Sequence, residues 1–217
     1  AMQGGTVEMN VMNASLLAGN VKEMALSDIP YLFNSAKEAD AVADGPIGRQ
    51  LLDELQDRGL VGLAYWDLGF RHMHTAKKLI AKADDFKGLK YRTVGISIDV
   101  FTGLGAAVNA LPGGEIVPAM DRGLLDAAEF NNATSDRILG FPDVSKVCML
   151  QSYHQNAEQF EIMFNKTKYD ALPAKMRSVI ENAVEAASAD MSWKAVDRYS
   201  KDYAEMSAQG IKFYKTP

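Results

Sequence analysis

The sequence predicts an α/β protein built on mainly parallel sheets. Short apolar runs of strand length alternate with segments whose apolar residues recur at helical spacing. The order strand, helix, strand repeats along the chain, and glycines or a proline mark the junctions. Composition admits such a fold. Of 217 residues, 47% are hydrophobic and 24% charged, with 17 Gly and 7 Pro, which excludes a disordered, collagenous or disulfide-dense chain and leaves enough apolar material for a sizeable core.

The elements follow in order. Residues 1–10 have neither the basic n-region nor the apolar h-region of a signal peptide, and read as the tail of a helix, a glycine stop and a strand at 6–11. Leu51, Leu52 and Leu55 mark one face of a helix at 46–58, closed by Gly59. Residues 60–66 form an apolar run ending at Trp66, 84–87 a turn, and 89–94 a strand. Ser97 is placed to cap a helix carrying Val100, Phe101 and Leu104, stopped at Gly105. A strand at 106–111 turns through Pro112-Gly113-Gly114 into a helix carrying Ile116, Val117 and Met120, which ends at Gly123. Strands are expected at 124–130, 147–153 and 160–165, and residues 210–217 read as the start of another. Both ends read as cut, so truncation at each terminus is expected.

Residues 173–209 differ. Met176, Val179, Ile180, Ala183, Val184, Ala187, Met191, Val196, Tyr199, Tyr203 and Met206 recur at helical spacing with no Gly or Pro inside. At 1.5 Å per residue this helix would be about 55 Å long, against a small-domain diameter of about 30 Å. It is therefore kinked, or crosses two lobes, or forms a partner interface; a homodimer through this helix stays open, although sustained coiled-coil flanking pairs are missing.

Several function classes fall away. With 23 basic and 28 acidic residues the net charge is −5, so the cationic footprint of a nucleic-acid binder is missing. No run approaches 18 apolar residues, so no segment inserts directly into a membrane. Cys148, the single cysteine, forms no intramolecular disulfide, which suits a cytosol or a disulfide-free periplasm equally; in its apolar strand it reads as an inert buried thiol. The sequence has no G-x-S-x-G elbow, no Walker loop and no complete G-x-G-x-x-G.

The polar residues that stand out are few. Arg71 follows an apolar strand, and Arg92 sits inside one, where a guanidinium needs a partner; its planar fork suits a carboxylate, while the alternatives are solvent or an internal acid. Glu129, Phe130, Asn131 and Asn132 end one strand, and Gln151-Ser152-Tyr153-His154-Gln155 another. Ligands of open α/β sheets bind beyond such strand ends, although turn chemistry uses the same residues. His72 and His74 form an H-x-H pair in an extended segment, and with His154 and Glu129 they offer the ligands of a zinc-dependent hydrolase.

At these residues the chain resembles a known family. Phe70-Arg71-His72, followed by Phe86-Lys87-Gly88-Leu89-Lys90-Tyr91-Arg92, resembles the hinge and arginine strand of the DctP-like solute-binding proteins of tripartite ATP-independent periplasmic (TRAP) transporters. The block from Gly114 to Glu129, the opening Gln3-Gly4-Gly5-Thr6-Val7-Glu8-Met9 and the long helix fit the same pattern. The resemblance implies a two-lobed periplasmic binding protein, type II-like, with hinge strands and a long helix spanning both lobes. Lobe I would hold residues 1–68 and 156–196, and lobe II residues 69–155 and 197–217.

The same resemblance implies a non-enzymatic periplasmic protein that captures a small organic acid in an interlobe cleft and delivers it to TRAP membrane subunits. Its signal peptide would lie outside this sequence. Arg92 would grip the substrate carboxylate and Arg71 contact it from the hinge. Glu129 and Phe130 resemble the acid–aromatic pair of the branch that binds 2-oxo and 2-hydroxy acids, with Asn131, Trp66, Tyr153 and His154 lining the site. A bridging Ca²⁺ or Na⁺ would sit between Glu129, the Phe130 carbonyl and Gln155, oxygen donors that suit a hard cation. That branch commonly has tryptophan at the position of Phe130 and other residues at Asn131-Asn132.

Overall fold

The computed structural model describes residues 1–19, 21–30, 32–33, 35–67, 73–150, 154–155 and 159–215. The chain divides into two compact units. One comprises Ala1–Ser27, Phe33–Leu68 and Ala157–Ala195; the other comprises Asp28–Leu32, Gly69–Asn156 and Val196–Pro217.

The first unit is built on a three-stranded sheet in which β8 (Gln159–Asn165) lies between β1 (Met9–Asn13) and β2 (Leu60–Asp67). Both pairings are antiparallel, with Met9 opposite Phe164 and Leu60 opposite Asn165. Ala14, Val21, Met24, Leu55, Leu60 and Met163 form its core. Helix α1 (Ala36–Ala43) starts at Ser35, whose side chain accepts from the Glu38 amide, and α2 (Pro46–Glu54) starts with proline in its first turn, where no amide partner is lost. A one-turn 3₁₀ helix, Gln56–Arg58, carries the chain to Gly59 at φ 74°, the left-handed position that glycine adopts without a side-chain penalty. Gly62 meets a different demand. A side chain there would stand 2.5 Å from Leu52 Cδ2 and would run into Glu161 Oε1.

The second unit carries six strands in the order β5 (Ala107–Asn109), β4 (Lys90–Arg92), β6 (Ala127–Glu129), β3 (Met73–Thr75), β7 (Val147–Met149) and β9 (Lys212–Tyr214). Strand β4 runs parallel to β5 and β6, and β7 runs parallel to β9, but β3 is antiparallel to both of its neighbours. The expectation of mainly parallel sheets is thus corrected: one sheet is antiparallel and the other mixed. Alternation along the strands separates two cores. Tyr91, Ala127, Met73 and Met149 face Phe86 and Phe101, while Ala128 faces Ile116, Ala119, Met120, Leu125 and Phe141.

Several elements are shorter than the sequence pattern suggests. Residues 124–126 are not strand, because the amides of Leu124 and Leu125 return to the Ala119 carbonyl and close α4 (Gly113–Asp121). Strand β5 stops at Asn109, and the carbonyl of Leu111 turns to Arg92. Strand β1 begins at Met9, because Gly5 and Thr6 bond back to Met2 and Ala1 in a turn. Ser97 is the first residue of α3 (Ser97–Gly103), and Ile96 precedes it at the cap position. Two short helices, α5 (Ala133–Leu139) and α6 (Phe141–Val144), follow β6, and α7 (Lys166–Asp170) follows β8.

Helix α8 (Ala174–Ala208) runs 35 residues, close to the expected bounds. Its residues up to Ala195 belong to the first unit and those from Val196 to the second. Of the eleven apolar positions named above only Val184 and Met206 are buried, while Met176, Val179 and Val196 are exposed. At 3.6 residues per turn, positions 176–191 and 196–206 form two stripes that point in different directions, so one helix face cannot bury both.

Candidate functional site

Arg92 lies in β4, only 4% exposed, and its guanidinium is tied to backbone. Nε donates to the Leu111 carbonyl at 2.9 Å and Nη1 to the Glu129 carbonyl at 2.8 Å. Neutral carbonyls orient the fork without discharging it. The Glu129 carboxylate is 3.7 Å away, an ion-pair distance too long for a hydrogen bond, and it is fully buried. Thr93 Oγ1 donates to Glu129 Oε1 at 2.9 Å. The Arg92 guanidinium also stands 5.7 Å from the centroid of the Phe130 ring, within cation–π range. That ring stacks at 6.5 Å on buried Phe141.

The loop after β6 is fixed by a second buried pair. His74 Nε2 and Asp136 Oδ2 are 2.6 Å apart, both fully buried, and Asp136 Oδ1 accepts from the Asn131 amide at 3.1 Å. Burial alone would discharge the His74 ring. Cys148, whose sulfur is 3.7 Å away, and the Asp136 carboxylate outweigh burial and push the ring up to about 10. Register explains the cluster, because His74 lies directly opposite Cys148 on β7 and Ala128 on β6. Asn132 caps α5 by accepting from the Ser135 amide, and its Nδ2 donates to Asn131 Oδ1.

The structure thus brings Arg92, Glu129, Phe130 and Asn131 together in one unit. His154, 2% exposed, packs edge-on against Phe101 at 4.9 Å, and Gln155 is buried in the same unit. Arg71, His72 and Tyr153 lie outside the described residues, as does the side chain of Trp66 in β2. The zinc constellation finds no support. His74 faces Asp136, His154 faces Phe101 and Glu129 faces Thr93, and no group of three metal-holding His, Cys, Asp or Glu side chains occurs among the described residues. Oxygen donors of Glu129, Phe130 and Gln155 have the chemistry for Ca²⁺ or Na⁺, but Glu129 already faces the Arg92 cation and the Thr93 hydroxyl. Sequence reasoning missed Thr93, the Leu111 carbonyl, Gly113 and Asp136. Only Asp136 left a signal, as an acid in the first turn of a helix capped by Asn132.

No helix among the described residues is long and apolar enough to cross a membrane. Residues 1–217 match the family model of the bacterial extracellular solute-binding proteins, family 7 (DctP). The 2,3-diketo-L-gulonate-binding periplasmic protein YiaO of Escherichia coli is 30% identical over 202 residues, covering 91% of this chain and 60% of the relative. A TRAP periplasmic solute-binding protein from Ochrobactrum anthropi, solved with its C-terminus bound in the ligand-binding pocket, is 35% identical with a TM-score of 0.86, covering 99% of this chain and 67% of that one. The sugar-acid-binding protein DctPAm of Advenella mimigardefordensis, solved with galactonate, is 30% identical with a TM-score of 0.89, covering 99% of this chain and 69% of that one. The chain spans about 60% of the length of the curated relative from Escherichia coli.

Proposed function

This chain belongs to family 7 of the bacterial extracellular solute-binding proteins, and on that premise we propose that it captures a small organic acid, a polyhydroxylated monocarboxylate, for a TRAP-type membrane transporter outside the cytoplasmic membrane. The observation that carries this reading is the Arg92 assembly, a buried guanidinium held by two backbone carbonyls and backed by an aromatic ring. Such a cation is pre-oriented, so it gains a carboxylate partner without the entropic cost of ordering a flexible side chain. Glu129, fixed by Thr93, would accept from substrate hydroxyls, and Phe130 would offer its ring to the carbon chain. The choice of a sugar acid rests on relatives and neighbours named for 2,3-diketo-L-gulonate and for galactonate. Arg71, Trp66, Tyr153 and His154 are proposed as further ligand contacts, with Gln155 as a further oxygen donor.

Titration calorimetry with D-galactonate, 2,3-diketo-L-gulonate, D-glucuronate and succinate tests the reading, with a Ca²⁺ arm. At least one sugar acid should bind, and Arg92→Ala should weaken it by about 2–5 kcal/mol, roughly 30-fold or more. No binding to any acid, or unchanged affinity in Arg92→Ala, refutes it.

A further inference from the structure

The turn between β5 and α4 touches the Arg92 assembly twice. Leu111 gives its carbonyl to Arg92 Nε at 2.9 Å. Two residues on, Gly113 lies against the Phe130 ring: a side-chain carbon at Gly113 would stand 2.7 Å from Phe130 Cε2 and 3.1 Å from Cζ. Carbon atoms do not approach that closely, so any side chain at Gly113 displaces the ring. The ring has little room to yield, because it packs with Leu111 and Val117 against a core containing Ile116 and buried Phe141. The adjacent glycine provides a contrast. A side-chain carbon at Gly114 would meet nothing within 4 Å, so bareness is matched to the ring at Gly113 alone.

We propose that Gly113 is a positioning residue of the acid site: its missing side chain lets the Phe130 ring seat beside Arg92, and that seat sets the direction in which the guanidinium meets a carboxylate. The inference rests on the acid-binding reading above. It does not concern the stability of α4, because Gly113 begins that helix and alanine there favours helix over coil.

Calorimetry with D-galactonate and 2,3-diketo-L-gulonate, alongside thermal unfolding, on Gly113→Ala, Gly114→Ala, Phe130→Ala, the Gly113→Ala/Phe130→Ala double variant and Arg92→Ala decides the matter. Gly113→Ala should bind about tenfold more weakly, with any fall in Tm confined to the overpacking of the ring, whereas Gly114→Ala should stay within about twofold. In the Phe130→Ala background, Gly113→Ala should change affinity by less than about twofold, since the ring it displaces is gone. Wild-type affinity in Gly113→Ala while Arg92→Ala loses binding overturns the inference and leaves the acid-binding reading standing. An equal loss in both backgrounds marks a general packing effect and also overturns it. If wild type binds neither acid, or Arg92→Ala binds as wild type does, the reading fails and the inference fails with it.

Discussion

Replacing Glu161 by glutamine should stabilise the protein more with every step from acidic to mildly alkaline pH. Glu161 lies at the middle of β8, fully buried, opposite Met12 of β1. Its Oε1 approaches Gly62, whose missing side chain also makes room for Leu52 and Leu55. Among the described residues neither carboxyl oxygen has a hydrogen-bond partner, and burial alone pushes the group up to about 8 from 4.5. A raised carboxyl keeps its proton in the folded state while the unfolded chain releases it, so stability falls as pH climbs from 4.5 to 8 and levels off above. At about 1.4 kcal/mol per pKa unit, the full difference is about 5 kcal/mol, and the part lying between pH 5 and pH 8 is about 4 kcal/mol. Glutamine leaves a neutral polar group in the same place, so it removes the part of the pH dependence that Glu161 contributes without repairing the missing bonds. In a chain of this size the gap in Tm between Glu161→Gln and wild type should widen by roughly 10 °C from pH 5 to pH 8. Parallel Tm profiles for the two proteins across that range would refute the assignment of a neutral buried acid.

Four further outcomes follow from the packing. Asp136→Ala strands the buried His74 cation and frees the Asn131 amide, and should cost about 3–5 kcal/mol in denaturant unfolding; a loss below about 1 kcal/mol contradicts the buried pair. The stabilising share of His74 is complete below 6.5 and fades as pH rises through about 10, so Glu161→Gln should still lose stability in that window whereas the combined Glu161→Gln/His74→Gln variant should not. Cys148, fully buried, should react with a thiol reagent only on the timescale of unfolding, and rapid labelling of folded protein would contradict its position. Gly62→Ala should destabilise by about 1–3 kcal/mol through overpacking against Leu52 and Glu161, readable as a lower denaturant midpoint; an unchanged midpoint would show that β2 yields.

How far the sequence could be read depended on how local each determinant is. Helix α8 was legible almost to the residue, because no Gly or Pro falls inside it and Gly210 follows at φ 90°. Gly59 was legible as a stop, and Arg92 as a strand cation needing a partner. Strand directions were not, since β3 is three residues long and its antiparallel pairing with β6 and β7 joins segments more than 50 positions apart. Asn131 and Asn132 stood out as polar, but that chemistry serves partly to cap α5, a local signal that Asn132 and Ser135 carried in plain view. The α1 cap at Ser35 and Glu38 was equally local and equally overlooked. Gly113 acts only through a ring brought from another element, and no spacing rule reaches it; Asp136 was visible as a first-turn acid, but not its pairing with His74, 62 positions away.

Whether Arg92 receives the carboxylate is decided by a crystal structure of the protein with bound D-galactonate. A carboxylate oxygen should lie within hydrogen-bond distance of the Arg92 guanidinium, with the carbon chain against Phe130. Clear density for the acid with its carboxylate away from the Arg92 guanidinium, which keeps its bonds to the Leu111 and Glu129 carbonyls, would overturn that assignment.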